Sequence, residues 1–233
     1  VGQSTILDEM GHPDIGAMVE SMGRGEVLRV PYLLRDMVAD ALGLLDALGI
    51  GQAHVAGLSM GGMIGQLLAA HHPERVLTFT SIMSNTGEPG LPGPTPEAWA
   101  CLTAPLEEEL GAFLRQYIAK WSVYAGPAYP IDVKAAQEHA ARIFARGIHT
   151  AGRDRQLAAV LASGSRKEAL ASIVCPTLVI HGDSDPVVPL PGGIATANAI
   201  RGARLLTFEG MGHELAKPLW PEIAASIARH AGH

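Results

Sequence analysis

Cysteine, aromatic and charged residues are all scarce in this chain of 233 residues. Cys101 and Cys175 are its only cysteines, which excludes a disulfide-rich scaffold and favours two unlinked thiols. Charged residues make up 17% of the chain and the net charge is −6, with no cluster of lysine and arginine. A nucleic acid is therefore not an expected partner.

Several sequence patterns that indicate other protein classes are also missing. No apolar run reaches the length of about 18 residues that a membrane span requires, so none is expected. Residues 1–10 have neither the basic head nor the apolar run of a secretory signal, which favours a cytoplasmic protein. There is no phosphate loop or dinucleotide fingerprint, and the histidines have no metal-ligand spacing. We therefore expect no cofactor and no metal.

The patterns that are present alternate between short apolar strands and helices. Hydrophobic residues make up 48% of the chain, enough for a full core. Strands with continuous apolar runs between helices predict an α/β fold, with a mostly parallel sheet covered by helices on both faces. Strands are expected at 53–58, 76–82, 177–181 and 204–208, and the helices between and around them at 31–48, 60–71, 191–200 and 217–230. Glycines break up residues 1–28, which are expected to be irregular.

The middle of the chain has a different pattern. Residues 85–96 contain four prolines and predict a linker. The pattern is then helical throughout, with no strand between about 97 and 163. We expect helices at 97–103, 106–122, 132–147 and 152–163. This pattern predicts a core built from residues 1–84 and 165–233, with a helical cap or lid at 85–164.

Residues 55–62 (Val-Ala-Gly-Leu-Ser-Met-Gly-Gly) carry the most informative motif. A strand, a sharp turn with one serine between glycines and a helix form a G-x-S-x-G nucleophile elbow. We expect Gly57 and Gly61 to let the strand and the helix approach each other without a Cβ clash. Ser59 is then the nucleophile, and the Met60 backbone N–H at the helix N-terminus is a donor for the oxyanion.

A serine hydroxyl needs a base to take its proton, and the base needs an acid to orient it. In a parallel α/β sheet both partners belong in loops after strand ends, in the order serine, acid, histidine. His213 follows the strand at 204–208 in Gly-Met-Gly-His, and it is the expected base. Asp183 and Asp185 both lie in the turn after 177–181, so either could be the acid on position alone.

Four motifs together resemble the α/β-hydrolase superfamily, in its branch of helical-cap esterases and haloperoxidase-like enzymes, with aclacinomycin-methylesterase-like members nearest. They are the elbow, residues 72–76 (His-Pro-Glu-Arg-Val), the turn at 181–189 (His-Gly-x-x-Asp-Pro-x-x-Pro) and the Gly-x-Gly-His at 210–213. The resemblance covers about 50–233 and implies that Asp185, and not Asp183, is the acid. Ser59, Asp185 and His213 are then the expected catalytic residues.

The same resemblance indicates a missing part. In that family several strands and a His-Gly oxyanion loop precede the elbow, and residues 1–5 (Val-Gly-Gln-Ser-Thr) look like the tail of a motif found there. The second oxyanion donor has no counterpart. Without those strands, the apolar strand at 53–58 lies at the edge of the sheet, and proteins rarely leave such an edge strand exposed. We expect this edge to pair with a second subunit as a homodimer or to be covered by residues 1–28.

These observations favour a serine hydrolase that cleaves small to medium uncharged carboxylic esters through an acyl-enzyme. Tyr117, Trp121 and Tyr124 of the helical insertion could line the substrate pocket or merely pack its helices together. Two alternatives remain open. The same fold could act as a perhydrolase, lactonase or C–C bond hydrolase, or the chain could be a weak or inactive ligand-binding relative without the oxyanion loop.

Overall fold

The computed structural model describes residues 3–232, so Val1 and Gly2 of the predicted 1–28 segment and His233 lie outside the described residues. Four parallel strands form one sheet in the order β1-β2-β3-β4. Their bounds are β1 Ala53–Leu58, β2 Val76–Ile82, β3 Thr177–Gly182 and β4 Arg204–Phe208. The α/β fold with a parallel sheet flanked by helices is confirmed.

Helices connect and surround these strands. The α-helices are α1 Ile15–Gly23, α2 Leu34–Ala47, α3 Met60–His71, α4 Pro96–Thr103, α5 Leu110–Tyr124, α6 Val133–Ala145, α7 Thr150–Ala162, α8 Lys167–Leu170, α9 Leu190–Ala199 and α10 Trp220–His230. Short 3₁₀ turns lie at Asp8–Met10, Pro73–Arg75 and Lys217–Leu219. None of the helices described over residues 3–232 has the length and apolarity needed to span a lipid bilayer.

The strand order explains where the helices pack. Because the strands follow one another across the sheet in chain order, right-handed crossovers bring α3 and α9 to the same face. Leu68 of α3, Phe79 of β2 and Leu170 of α8 share the buried cluster on that face. On the other face Ile180 of β3 packs with Ile223 of α10. Two apolar clusters thus fix the sheet between helical layers.

The chain before β1 differs from its predicted irregularity. Residues 15–23 form α1, because the Asp14 carboxylate caps the helix by accepting from the Ala17 N–H at 3.0 Å. The prediction for this part of 1–28 was wrong, since one good cap outweighed the glycines inside the helix. The next helix begins at Leu34 and not at Pro31, because the Asp36 carboxylate accepts from the Leu33 N–H at 2.7 Å and fixes the start there.

The N-terminal segment does not cover the edge of the sheet. It packs on α7, where His12 Nε2 lies 2.6 Å from Asp154 Oδ2 and Arg155 donates to the Gly11 carbonyl at 2.6 Å. The prediction that residues 1–28 cover the 53–58 edge was therefore wrong for the described part of that segment. The segment instead supplies hydrogen-bond partners to buried charged side chains of α7, which would be costly to bury without them. Among the described residues β2 is the only strand that pairs with β1, and Leu58 is 39% exposed.

The stretch between β2 and β3 contains α4 to α8 and no strand within the described chain. Residues 85–95 contain neither helix nor strand, as the proline content predicts. The predicted helices of this region are present with shifted ends, and α8 is an additional short helix. The division into a core (1–84 and 165–233) and a cap (85–164) remains a prediction. Cys101 and Cys175 are free thiols.

Candidate active site

Three side chains predicted for catalysis meet at the carboxyl edge of the sheet. Ser59 follows β1, Asp185 follows β3 and His213 follows β4. In a parallel sheet all carboxyl ends lie at the same edge, so residues 154 positions apart in the chain come into contact there.

The backbone at Ser59 is strained. Its φ is 53° and its ψ is −118°, in a region that a residue with a side chain rarely occupies. The Ser59 N–H donates to the Ile82 carbonyl of the neighbouring strand at 2.8 Å, and the Ser59 carbonyl accepts from Gly62 at 2.9 Å. These bonds hold the turn on both sides, so the serine hydroxyl points away from the sheet edge into the site.

The glycines of the elbow have unequal roles. A Cβ on Gly57 would collide with the backbone of Gly61, so the strand and the helix approach as closely as predicted. A Cβ on Gly61 would meet nothing within 4 Å, so the predicted need for glycine at Gly61 was wrong. The requirement falls on Gly62 instead, where a Cβ would lie 2.7 Å from Ser84 Cβ. The motif's spacing alone cannot reveal this, because Ser84 belongs to the loop after β2.

Hydrogen bonds connect Ser59, His213 and Asp185 in one chain. His213 Nε2 lies 3.0 Å from Ser59 Oγ, and His213 Nδ1 lies 2.7 Å from Asp185 Oδ2. Asp185 and His213 are buried, and Ser59 is partly exposed. Since a carboxylate only accepts, the Nδ1–H donates to Asp185, and Nε2 is left to accept the serine proton.

The two candidate acids have different surroundings. The second oxygen of Asp185 accepts from the N–H groups of Val187 and Val188, each at 2.8 Å, which fixes the carboxylate against His213. Asp183 instead accepts from the Gly210 N–H at 2.7 Å and ties the loop after β3 to the loop after β4. Asp185 is thus the aspartate in contact with the imidazole.

His181 is a buried second histidine beside Asp185. Its Nε2–H donates to the Val188 carbonyl at 2.7 Å and lies 3.7 Å from Asp185 Oδ2. Burial lowers the pKa of His181, so the ring is neutral at pH 7. A neutral His181 forms no ion pair with Asp185, so His213 is the histidine that pairs with this carboxylate.

Sequence reasoning missed the contact that positions the loop of His213. The His213 N–H donates to the Tyr124 carbonyl at 2.7 Å, and the Ala128 N–H donates to the Gly210 carbonyl at 3.3 Å. The two loop segments cross so closely that a Cβ on Gly126 or Gly212 would collide with the backbone of the other segment. The Gly-x-Gly before His213 was a usable signal, but its partner lies about 90 residues upstream and only the fold reveals it.

The predicted aromatic residues form a row that leads away from His213. The Tyr124 ring meets the imidazole edge-on with a centroid distance of 6.1 Å. Trp121 lies 5.6 Å from Tyr124, and Tyr117 lies 5.8 Å from Trp121. Tyr124 is buried, whereas the other two are partly exposed. Tyr124 also packs with Val187 and Val188 of the acid turn, so it has a packing role in addition to any contact with a ligand.

The Met60 N–H begins α3 directly after Ser59. As the first helical N–H it has no acceptor within its helix, and none lies among the other residues of the described chain. It is therefore free to donate to an oxygen beside Ser59. Within residues 3–232 no group of three His, Cys, Asp or Glu side chains could hold a metal ion.

Comparison with known proteins agrees with this fold. The family model for the alpha/beta hydrolase fold matches residues 22–216. Rhodomycin D methylesterase DnrP of Streptomyces peucetius is 33% identical over 225 residues, which cover 86% of this chain and 74% of that protein. The 3-oxoadipate enol-lactonase 2 of Acinetobacter baylyi is 30% identical over 166 residues, which cover 70% of this chain and 58% of that protein.

A solved structure supports the fold alone. The meta-cleavage product hydrolase CumD from Pseudomonas fluorescens IP01 superposes with a TM-score of 0.68 at 20% identity. The match covers 85% of this chain and 71% of that one. At this identity the likeness concerns the path of the backbone and not the reaction.

Proposed function

The chain belongs to the α/β-hydrolase fold family, and from this premise we propose that it hydrolyses carboxylic esters through an acyl-enzyme on Ser59. The observation that carries the proposal is the pair of hydrogen bonds through His213, at 3.0 Å to Ser59 Oγ and 2.7 Å to Asp185 Oδ2. The methylesterase relative supports an ester as the substrate class.

The proposed reaction has two halves. Ser59 Oγ attacks the ester carbonyl while His213 Nε2 takes its proton, and Asp185 stabilises the imidazolium that forms. The tetrahedral intermediate collapses, the C–O bond to the alcohol breaks, and His213 returns the proton to the leaving alkoxide. Water then attacks the acyl-enzyme with the same base, which releases the carboxylic acid and restores Ser59.

The Met60 N–H is the donor that we assign to the oxyanion. It is adjacent to the nucleophile and lies at a helix N-terminus, where negative charge is favourable. An oxyanion hole of this kind ordinarily has a second donor, and losing one donor costs about 10²–10³ in turnover.

The substrate side of the proposal rests on the row of Tyr117, Trp121 and Tyr124. Their ring contacts begin at His213, so an apolar or aromatic part of an ester bound at Ser59 would meet this row. Aromatic walls favour uncharged, planar or aliphatic groups. Small to medium uncharged esters are the class we propose.

A lactonase activity is the second candidate. The enol-lactonase relative is 30% identical, and a lactone is a cyclic ester that the same nucleophile, base and acid can open. Perhydrolase and C–C bond cleavage are further possibilities on this fold. A panel of p-nitrophenyl esters of increasing chain length, run beside simple lactones, separates these activities.

The first experiment is covalent labelling of Ser59. A fluorophosphonate probe should modify the folded protein at Ser59, and Ser59→Ala should abolish the label. A p-nitrophenyl ester should give a burst of one equivalent of phenolate if acylation is faster than deacylation. Folded protein that takes no label at Ser59 would favour the inactive ligand-binding alternative and overturn the proposal.

We also propose that a second copy of the chain pairs with the edge of β1. The edge has no strand beyond it among the described residues, and Leu58 exposes apolar surface there. Sedimentation velocity should give a dimer that His54→Pro dissociates, because a proline blocks strand pairing. A monomer at all concentrations would contradict this proposal and leave the proposed reaction untouched.

A further inference from the structure

A cleft of about 650 Å³ opens between α5, α6 and α7, and Ser59 is not among the residues that line it. Its floor is apolar, with Phe113 of α5 and Ile143 of α6. Its polar side chains are cationic or neutral, because no aspartate or glutamate is among the described residues that line it. Its cations are Lys120, Arg146 and Arg153. We call this the cationic cleft.

Lys120 is the unusual member of the cationic cleft. Its ammonium lies 5.3 Å from the centre of the Tyr124 ring, and no carboxylate within residues 3–232 pairs with it. Burial and then the charge of Arg153 lower the pKa of Lys120 from 10.5. Lys120 is partly buried, so an ammonium with a second cation nearby and no paired carboxylate keeps a desolvation cost that its contact with the Tyr124 ring offsets only in part.

The other two cations of the cleft differ in whether a carboxylate of the chain pairs with them. Arg153 forms an ion pair with Asp154, donating to its Oδ1 at 2.8 Å and 2.7 Å, and also donates to the Ala104 carbonyl, so its charge is paired within the chain. Arg146 is exposed and bonds only the Arg142 carbonyl, at 3.3 Å. Lys120 and Arg146 are thus the cations of the cleft that pair with no carboxylate of the described chain, and their charge is available to a ligand.

We propose that the cationic cleft binds an organic anion with one carboxylate on a compact aromatic or alicyclic body. The carboxylate would pair with Lys120, and the body would lie on Phe113 and Ile143. A free inorganic anion would leave that apolar floor in contact with water, and a neutral ligand would leave the ammonium unpaired. The volume is within the range of small-molecule sites.

The cationic cleft is distinct from the place where the ester reacts. Its lining does not include Ser59, Asp185 or His213, and the Tyr124 ring, 5.3 Å from the Lys120 ammonium and 6.1 Å from the His213 ring, is not part of that lining either. The proposal therefore does not depend on the proposed reaction, and its test uses Ser59→Ala protein as a second background.

The test is calorimetric titration with 1-naphthoate, and with 1-naphthalenemethanol as its neutral counterpart. Lys120→Gln should weaken naphthoate binding by about tenfold or more, because it removes the charged partner. Lys134→Gln is the matched control, since Lys134 is exposed on α6 outside the cleft. It should change the affinity by less than about twofold, as a distant surface charge does. The neutral alcohol should bind weakly and without preference between wild type and variants.

Several results would overturn the proposal. Equal naphthoate affinity in wild type and Lys120→Gln would do so, as would an alcohol that binds as tightly as the acid. Loss of naphthoate binding in Ser59→Ala would show that the anion binds at the reaction site, which would contradict the proposed binding in the cationic cleft. If Lys120→Gln does not fold, Arg146→Gln supplies the comparison: this exposed residue should weaken naphthoate binding less but measurably, and no change would count against the cleft.

Discussion

The backbone carbonyl of Tyr124 accepts a hydrogen bond from the His213 N–H at 2.7 Å. One residue of α5 thus determines where the loop that carries the base can lie. Gly126 and Gly212 permit this contact, because a side chain on either would collide with the other backbone. The position of the imidazole therefore depends on a helix that belongs to a different part of the chain.

Gly126→Ala tests this dependence. The new methyl group must displace the 210–213 loop, and a displacement of the base by about 1 Å lowers turnover by about 10²-fold. Steady-state kinetics with a p-nitrophenyl ester should locate the loss in kcat more than in KM. Gly93→Ala is the control, since a Cβ there meets nothing within 4 Å and its φ is ordinary. Equal kcat in both variants would contradict the positioning role.

Gly57→Ala and Gly61→Ala should differ sharply although both change the same motif. The first forces a Cβ into the backbone of Gly61 and should destabilise the protein by about 1–3 kcal/mol or more. The second adds a methyl group to open space near the start of α3, where alanine is a better helix former by about 1 kcal/mol. Thermal melts and the rate of fluorophosphonate labelling measure both effects. A Gly61→Ala protein that is as damaged as Gly57→Ala would contradict the geometry of the elbow.

Asp185→Asn and Asp183→Asn separate the two aspartates of one turn. The first removes the acceptor for His213 Nδ1–H and favours the wrong tautomer, so kcat should fall on the order of 10⁴-fold. The second weakens the bond from the Gly210 N–H and should mainly lower thermal stability. Parallel measurements of kcat and Tm check this division. A larger loss of kcat in Asp183→Asn would assign the acid to the other aspartate.

Glu214→Gln should stabilise the protein at neutral pH. Burial raises the pKa of Glu214 above 4.5, so the folded state holds its proton more tightly than the unfolded state does. As the pH rises from 4.5 through the raised pKa, the unfolded state loses its proton first and the free energy of unfolding falls. Denaturant melts at pH 7 should favour the glutamine variant, and the advantage should vanish below pH 4.5. An advantage that is equal at both pH values would mean that charge is not its cause.

The strands and the elbow could be predicted because their signals are local. Ser59 lies between glycines, in a turn that joins an apolar strand to an apolar helix, and a window of about ten residues contains each of these features. The family resemblance, and with it the α/β fold, was confirmed. Ser59, His213 and an aspartate of the turn after β3 could be proposed together because their order and their loops follow from a parallel sheet, whereas the choice of Asp185 over Asp183 came from the family resemblance.

What the sequence could not reveal depends on contacts between distant segments. The place of residues 3–14 is determined by His12 and Asp154, which are 142 positions apart. The requirement for glycine at Gly62 comes from Ser84, and that at Gly126 comes from the loop of His213. The place of Lys120 in the cationic cleft depends on three helices packed together. No pattern of period 2 or 3.6 contains such information, because periodicity reports which face is apolar and not what lies opposite.

If a second copy pairs with the open edge of β1, as we propose, the activity per chain depends on the protein concentration. Because Ser59 follows β1 directly, we expect a strand that hydrogen-bonds to that edge to restrict the motion of the serine as well. On the proposed pairing, turnover per chain rises as the protein is concentrated and reaches a plateau when every edge is occupied. Dilution would then act as an inhibitor, and an activity measured at nanomolar enzyme would understate what the same chain does in a crowded compartment.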